Sequence, residues 1–169
     1  VLARSGEPPV GPDDVSPVRP WTWTDSDGLT VHGFLHPPRR AGVTGPDGEL
    51  PPLVVEVHGG PTSRDDASFA TARHFWTTRG FAVLDVNYSG STGYGRLYRD
   101  RLRGKWGVLD VADCVKAARY LVAEGRADGR RLLVRGGSAG GYMALCALTF
   151  YDDFAAGASY YGVSDLSLL

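Results

Sequence analysis

Two kinds of apolar pattern run along the chain. Trp21-Thr22-Trp23 and Leu29-Thr30-Val31-His32-Gly33-Phe34-Leu35 alternate on either side of Asp27-Gly28, which predicts a β-hairpin over 21–36. A loop rich in Pro and Gly follows over 37–52. From Leu53 the texture changes. Leu53–Val57, Phe81–Val86, Arg131–Arg135 and Ala155–Tyr160 are short, mostly apolar runs, the mark of buried strands. Between them apolar residues recur at helical spacing: Phe69, Ala72, Phe75 and Trp76, closed by Gly80; Val111, Cys114, Val115, Ala118, Leu121 and Val122, closed by Gly125; and Met143, Ala144, Ala147 and Phe150 within Gly140–Phe150. Strand and helix alternate from residue 53 onward. That order predicts an α/β fold, a mostly parallel sheet with crossover helices on both faces.

Composition narrows the class without deciding it. The 169 residues are 43% hydrophobic and 22% charged, with a net charge of −1. Such a balance leaves no footprint for nucleic acid and no basic face for a membrane. No apolar run approaches the roughly 18 residues of a membrane span. The first twenty residues hold five prolines and no apolar leader segment, so a cytoplasmic location is expected and 1–20 reads as a linker. The first residue is Val1, not Met, and the chain is expected to be cut from something longer. Cys114 and Cys146 fall in helical patterns and read as buried apolar side chains. The tryptophans read as packing residues, and Asp13-Asp14, Asp65-Asp66 and Asp152-Asp153 as solvated pairs with no metal to hold.

The chemistry concentrates at Gly136-Gly137-Ser138-Ala139-Gly140, a G-x-S-x-G pattern between a predicted strand and a predicted helix. A strand that turns sharply into a helix holds its serine in a strained backbone and leaves room only for tiny neighbours. Ser138 Oγ would then project at the carboxyl ends of the strands, where such sheets bind ligands. The N–H groups opening the following helix point to the same place, so Ala139 N–H is a candidate oxyanion donor. His58-Gly59-Gly60-Pro61 ends the first buried strand, and its glycines allow close backbone approach, which makes Gly60 N–H the second candidate. The segment Tyr161–Leu166 follows the last strand and should lie beside the nucleophile. Val163 and Leu166, with Tyr142 nearby, are expected to line an apolar pocket for the residue on the acyl side of the cut.

A serine hydroxyl is a weak nucleophile without a base. In this arrangement the acid and then the histidine follow the serine, yet His32, His36, His58 and His74 all precede Ser138. Asp165 is expected beside the site as a loop-shaping residue. His58, Asp85 and Ser138 run in the order of the β-barrel serine proteases, but alternating strands and helices argue against that fold. His58 is expected to brace the Gly59-Gly60 turn instead. The base, and with it the acid, is expected beyond residue 169, and residues 1–169 alone are expected to be inactive.

His58–Pro61, Asn87-Tyr88-Ser89-Gly90-Ser91-Thr92-Gly93-Tyr94-Gly95, Trp106-Gly107 with Asp110 and Asp113, and Gly136–Tyr142 together resemble the catalytic domain of the prolyl oligopeptidase family of serine peptidases, in its acylaminoacyl-peptidase and dipeptidyl-peptidase-like branch. The resemblance runs from about residue 20 to the end. It implies an α/β-hydrolase fold truncated before its last strands over 21–169, with 1–20 leading from a β-propeller. It implies cleavage of short peptides without a cofactor, with Ser138 as nucleophile, Gly60 and Ala139 as oxyanion donors and the Asn87–Gly95 loop shaping the entrance. It also implies contact with the propeller and with the rest of the hydrolase domain. An esterase or lipase of the same fold is the alternative, disfavoured by Pro61 where such enzymes often carry a third glycine. A non-catalytic hydrolase-like fragment is the other.

Overall fold

The computed structural model describes residues 9–25 and 28–168. Asp27 of the predicted hairpin turn, the first eight residues of the expected linker and Leu169 lie outside the described residues. Among the described residues there are six strands: β1 (Arg19–Thr24), β2 (Thr30–His36), β3 (Leu53–Val57), β4 (Ala82–Asn87), β5 (Leu132–Gly137) and β6 (Ala156–Tyr160). Four α-helices join them: α1 (Thr71–Thr77), α2 (Arg96–Asp100), α3 (Leu109–Ala123) and α4 (Ala139–Phe150). The sheet order is β1-β2-β4-β3-β5-β6. β1 and β2 form an antiparallel hairpin on the edge, while β4, β3, β5 and β6 run parallel. β1 starts at Arg19, two residues earlier than the alternation indicated, and Ser16 Oγ donates to Pro37 O just ahead of it. No helix among the described residues is long and apolar enough to cross a membrane.

Strand alternation gives the sheet two chemically different faces. On one, Val55, Val57, Leu84, Val86 and Val134 pack with Val111, Cys114, Val115 and Ala118 of α3 and with Met143, Ala144 and Ala147 of α4. Both cysteines are buried there and unpaired. The other face carries a cross-strand charged row. Asp85, Glu56 and Arg135 stand in register on β4, β3 and β5. Arg135 Nε lies 3.0 Å from Glu56, and Arg73 of α1 reaches across to place its Nε 2.6 Å from Asp85 Oδ2. His36 Nε2 donates to the same oxygen at 2.9 Å.

That row explains one of the two places where the apolar pattern misleads. Helix α1 buries Arg73, His74 and Thr77, while its Phe75, and Phe69 just ahead of the helix, are about half exposed. A fully buried Asp85 needs cations around it, and those outweigh two phenyl rings in choosing the inward face. Phe150, expected on the buried side of α4, is exposed at that helix's last turn. Two of the acidic pairs are also more than solvated charges. Asp65 lies 3.2 Å from Arg73 Nη2, and Asp153 takes two hydrogen bonds from Arg119.

Burial pushes Glu56 up to about 7, with Arg135 pulling the other way and Asp85 adding to the rise. A carboxyl that holds its proton more tightly when folded favours folding below its unfolded value, and loses that contribution as pH rises toward 7. Glu56→Gln fixes the neutral form. Its stability relative to the parent protein is therefore expected to improve by up to about 3 kcal/mol between pH 4.5 and 8. Denaturation midpoints at the two pH values check this, and a gap independent of pH would contradict it.

Candidate active site

The turn from β5 into α4 is built from absences. A side chain at Gly136 would meet Gly140 O at 2.5 Å and Val57 O at 2.7 Å, and one at Gly140 would run into Val57 O and into His58 O at 2.9 Å. With both positions bare, the end of β3 packs directly against the first turn of α4. Ser138 sits at the bend with φ 56° and ψ −121°, a strained conformation for a residue with a side chain. Its backbone N–H donates to Tyr160 O at 3.0 Å and its carbonyl accepts from Tyr142 N at 3.0 Å. Its hydroxyl caps nothing and the residue is exposed. Ala139 opens α4, where an N–H has no partner inside the helix.

The His58–Pro61 turn backs onto this bend. A Cβ at Gly59 would lie 3.4 Å from Ser138 Cβ and 3.2 Å from Gly137 O. Gly60 is exposed, has φ 129° and precedes a cis peptide to Pro61. Tyr88, wholly buried, brackets the turn: its hydroxyl lies 3.1 Å from both His58 O and Pro61 O. Burial drives its own titration far upward, so it stays a neutral donor. His58 stacks on the Tyr88 ring at 4.4 Å. The imidazole Nδ1 donates to Gly59 O at 2.7 Å, which leaves Nε2 to accept from Ser91 Oγ at 2.7 Å. Burial pulls His58 below its ordinary value. The contact with Ser91 has the form of a serine–histidine pair, but Ser91 is fully buried and out of a substrate's reach. The structure thus puts His58 in the bracing position and not beside Ser138.

The loop from Asn87 to Gly95 is held from below by groups for which sequence reasoning had no role. Asn87 exchanges hydrogen bonds with the backbone of Asp65, accepting at 2.8 Å and donating at 3.1 Å, and donates to Tyr94 Oη at 2.9 Å. Asp113 accepts from Ser89 N at 2.7 Å, and Asp110 from Gly107 N at 2.8 Å. Burial pushes Asp110 up to about 6 and raises Asp113 as well. The remaining histidines are engaged elsewhere: His32 stacks on Tyr94 at 4.2 Å, His36 binds Asp85, and His74 donates to Ala70 O.

Of the expected pocket residues, Tyr142 turns onto Gly107, Trp106 and Cys146, with its ring 5.6 Å from Trp106. Val163 and Leu166 are half-buried in the segment after β6, and Asp165 is exposed, accepting from Ser167. That segment meets the first turn of α4, where a Cβ at Gly141 would come within 2.7 Å of Gly162 Cα. Tyr161 was missed. It has φ 40°, is 86% exposed and lays its ring over Gly137, next to the nucleophile bend. Nothing in a run of Ser-Tyr-Tyr-Gly marks a left-handed tyrosine; only the turn geometry does.

The pattern that defines the prolyl oligopeptidase family matches residues 67–169. Dipeptidyl peptidase family member 6 of Caenorhabditis elegans is 36% identical over 157 residues, which are 83% of this chain and 21% of that protein. Dipeptidyl aminopeptidase BIII of Pseudoxanthomonas mexicana is 34% identical over 169 residues, 98% of this chain and 24% of that protein. The structure of a Mycobacterium tuberculosis puromycin-hydrolyzing peptidase superposes with a TM-score of 0.92 at 48% identity, covering 94% of this chain and 24% of that one. The chain thus spans about a fifth to a quarter of the length of the relatives it matches.

Proposed function

The chain belongs to the prolyl oligopeptidase family, and from that premise we propose that it carries the nucleophile of a serine peptidase acting on short peptides. The carrying observation is Ser138 itself: exposed, strained at φ 56°, and free of any capping bond at the carboxyl end of a parallel strand. In this reading Ser138 Oγ attacks the scissile carbonyl. The N–H groups of Gly60 and Ala139 hold the oxyanion that forms. A histidine takes the serine proton and passes it to the leaving amine; the same histidine then takes a proton from the water that attacks the acyl-serine and delivers it to Ser138 Oγ as the acyl group leaves as the acid. The four histidines are committed to other partners, so that base, with its acid, comes from a part of the whole protein outside these 169 residues. Residues 1–169 alone then lack turnover. Val163 and Leu166 border the acyl side of the cut, where a peptidase of this kind seats an apolar or small residue.

The whole protein is to be profiled against short peptides and acyl esters of matched acyl groups. Ser138-dependent cleavage of peptides is expected, with Val163→Trp lowering kcat/KM for large acyl-side residues more than for alanine. Ester turnover with every peptide left intact would overturn the peptidase reading in favour of an esterase.

A further inference from the structure

Three arginines gather on one flank of the proposed nucleophile. Ser63 O accepts from Thr92 N at 2.8 Å, which staples the loop after the Gly60 turn to the loop after β4. Arg64, the next residue, lays its guanidinium on Gly93: a Cβ there would fall 2.8 Å from Arg64 Nη1 and 3.3 Å from its Cδ. Gly93 and Gly95, both in the left-handed region at φ 92° and 90°, turn the chain tightly. With Thr92, Arg96 and Arg99 they line an open cavity of about 300 Å³. All three arginines are exposed. Among the described residues no carboxylate lies within ion-pair distance of Arg64 or Arg96, and Arg99 meets only Asp100, at 3.8 Å. Elsewhere arginines of this chain find carboxylates, as Arg73, Arg119 and Arg131 do. Here Arg96 and Arg99 line the hollow with Arg64 beside it, and among the described residues only Asp66 near Arg64 and Asp100 near Arg99 offset the three charges.

The sheet order says which flank this is. Ser138 follows β5. On one side lies β6 with the Tyr161–Leu166 segment, where the acyl side of the substrate belongs; on the other lie β3, with the Gly60 turn, and then β4, with the arginines. A substrate laid across the strand ends, with its acyl side toward β6, sends its leaving group toward β4. Two strand spacings separate β5 from β4, roughly 10 Å, a distance covered by about three extended residues.

We propose that Arg64, Arg96 and Arg99 form a carboxylate subsite that holds the free C-terminus of a short peptide two or three residues beyond the cut. Guanidinium forks match a carboxylate's two oxygens. The subsite would select short peptides with a free end over internal stretches of a longer chain. This rests on the peptidase reading and adds to it the end of the substrate that is recognised.

The test uses the whole protein and pairs of peptides that differ only in a C-terminal carboxylate or amide, with leaving groups of one to five residues. The acid is expected to be preferred about tenfold or more in kcat/KM, chiefly through KM, when the leaving group has two or three residues. The preference should shrink at high salt and fall to near one in R64A/R96A. Equal handling of acid and amide, or a preference that survives R64A/R96A, would overturn the subsite. Binding of the same peptides to the S138A protein reads the subsite without turnover. A tighter acid there, lost in S138A/R64A/R96A, upholds it even if peptide hydrolysis fails and the peptidase reading falls; equal binding of acid and amide refutes it.

Discussion

Ser138→Ala is expected to abolish fluorophosphonate labelling of the whole protein and to lower its peptide turnover by roughly four to six powers of ten. The size follows from the chemistry. Without Oγ no acyl-enzyme forms, and water must attack directly, helped only by the oxyanion donors and by substrate binding. The structure makes the experiment clean. The hydroxyl caps no helix and accepts no structural hydrogen bond, so its loss removes no support from the fold. Alanine tolerates φ 56° about as poorly as serine, which keeps the strain of the bend nearly the same. Unchanged thermal stability with turnover gone is therefore the expected pair of results. Labelling that survives the substitution would move the nucleophile elsewhere and remove the reading given to Gly60 and Ala139.

The parts of this fold that were legible in the sequence are those with a local cause. The bend at Ser138 was readable because only glycine fits where Val57 O and Gly140 O crowd the backbone, and those glycines stand within two residues of the serine. The β1–β2 hairpin and the runs that became β3, β4 and β5 were readable from periodicity. What escaped notice depends on residues far apart in the chain. His36 and Asp85 are 49 residues apart and meet across β2 and β4; only that pairing explains why α1 turns Arg73 inward and Phe75 outward. Helix α2 was missed because Arg96–Asp100 has a single buried residue, Tyr98, whose hydroxyl donates to Asn87 O. Two adjacent apolar residues in five, Leu97 and Tyr98, of which only Tyr98 is buried, give no period. His58 was legible as a brace on the Gly60 turn from its place beside the glycines, but the share of Tyr88 escaped, since it comes from a different strand end.

Asp85→Leu is expected to be the most damaging substitution away from the bend, costing about 3–5 kcal/mol. Asp85 has no exposed surface and anchors two donors, His36 Nε2 and the buried guanidinium of Arg73. Histidine can stay neutral; arginine cannot, so removal of the carboxylate leaves a buried cation whose remaining hydrogen bonds, among the described residues, go to Asp65 and the Ser68 carbonyl. Asp65 is itself reluctant to ionise, since burial holds it up at about 6. The penalty should then lie less in the lost pair than in the stranded charge, and that distinction is measurable. Arg73→Met together with Asp85→Leu replaces the ion pair by apolar side chains and is expected to be more stable than Asp85→Leu alone by about 1–3 kcal/mol. Denaturation midpoints of the two single variants and the double variant complete the cycle. Arg73 also binds Asp65 and Ser68, which lie on the loop continuing from the Gly60 turn, so Asp85→Leu should lower kcat as well as stability. Stability losses that simply add in the double variant would show that Asp85 and Arg73 act independently, and would remove the charged row as the reason α1 buries its polar face.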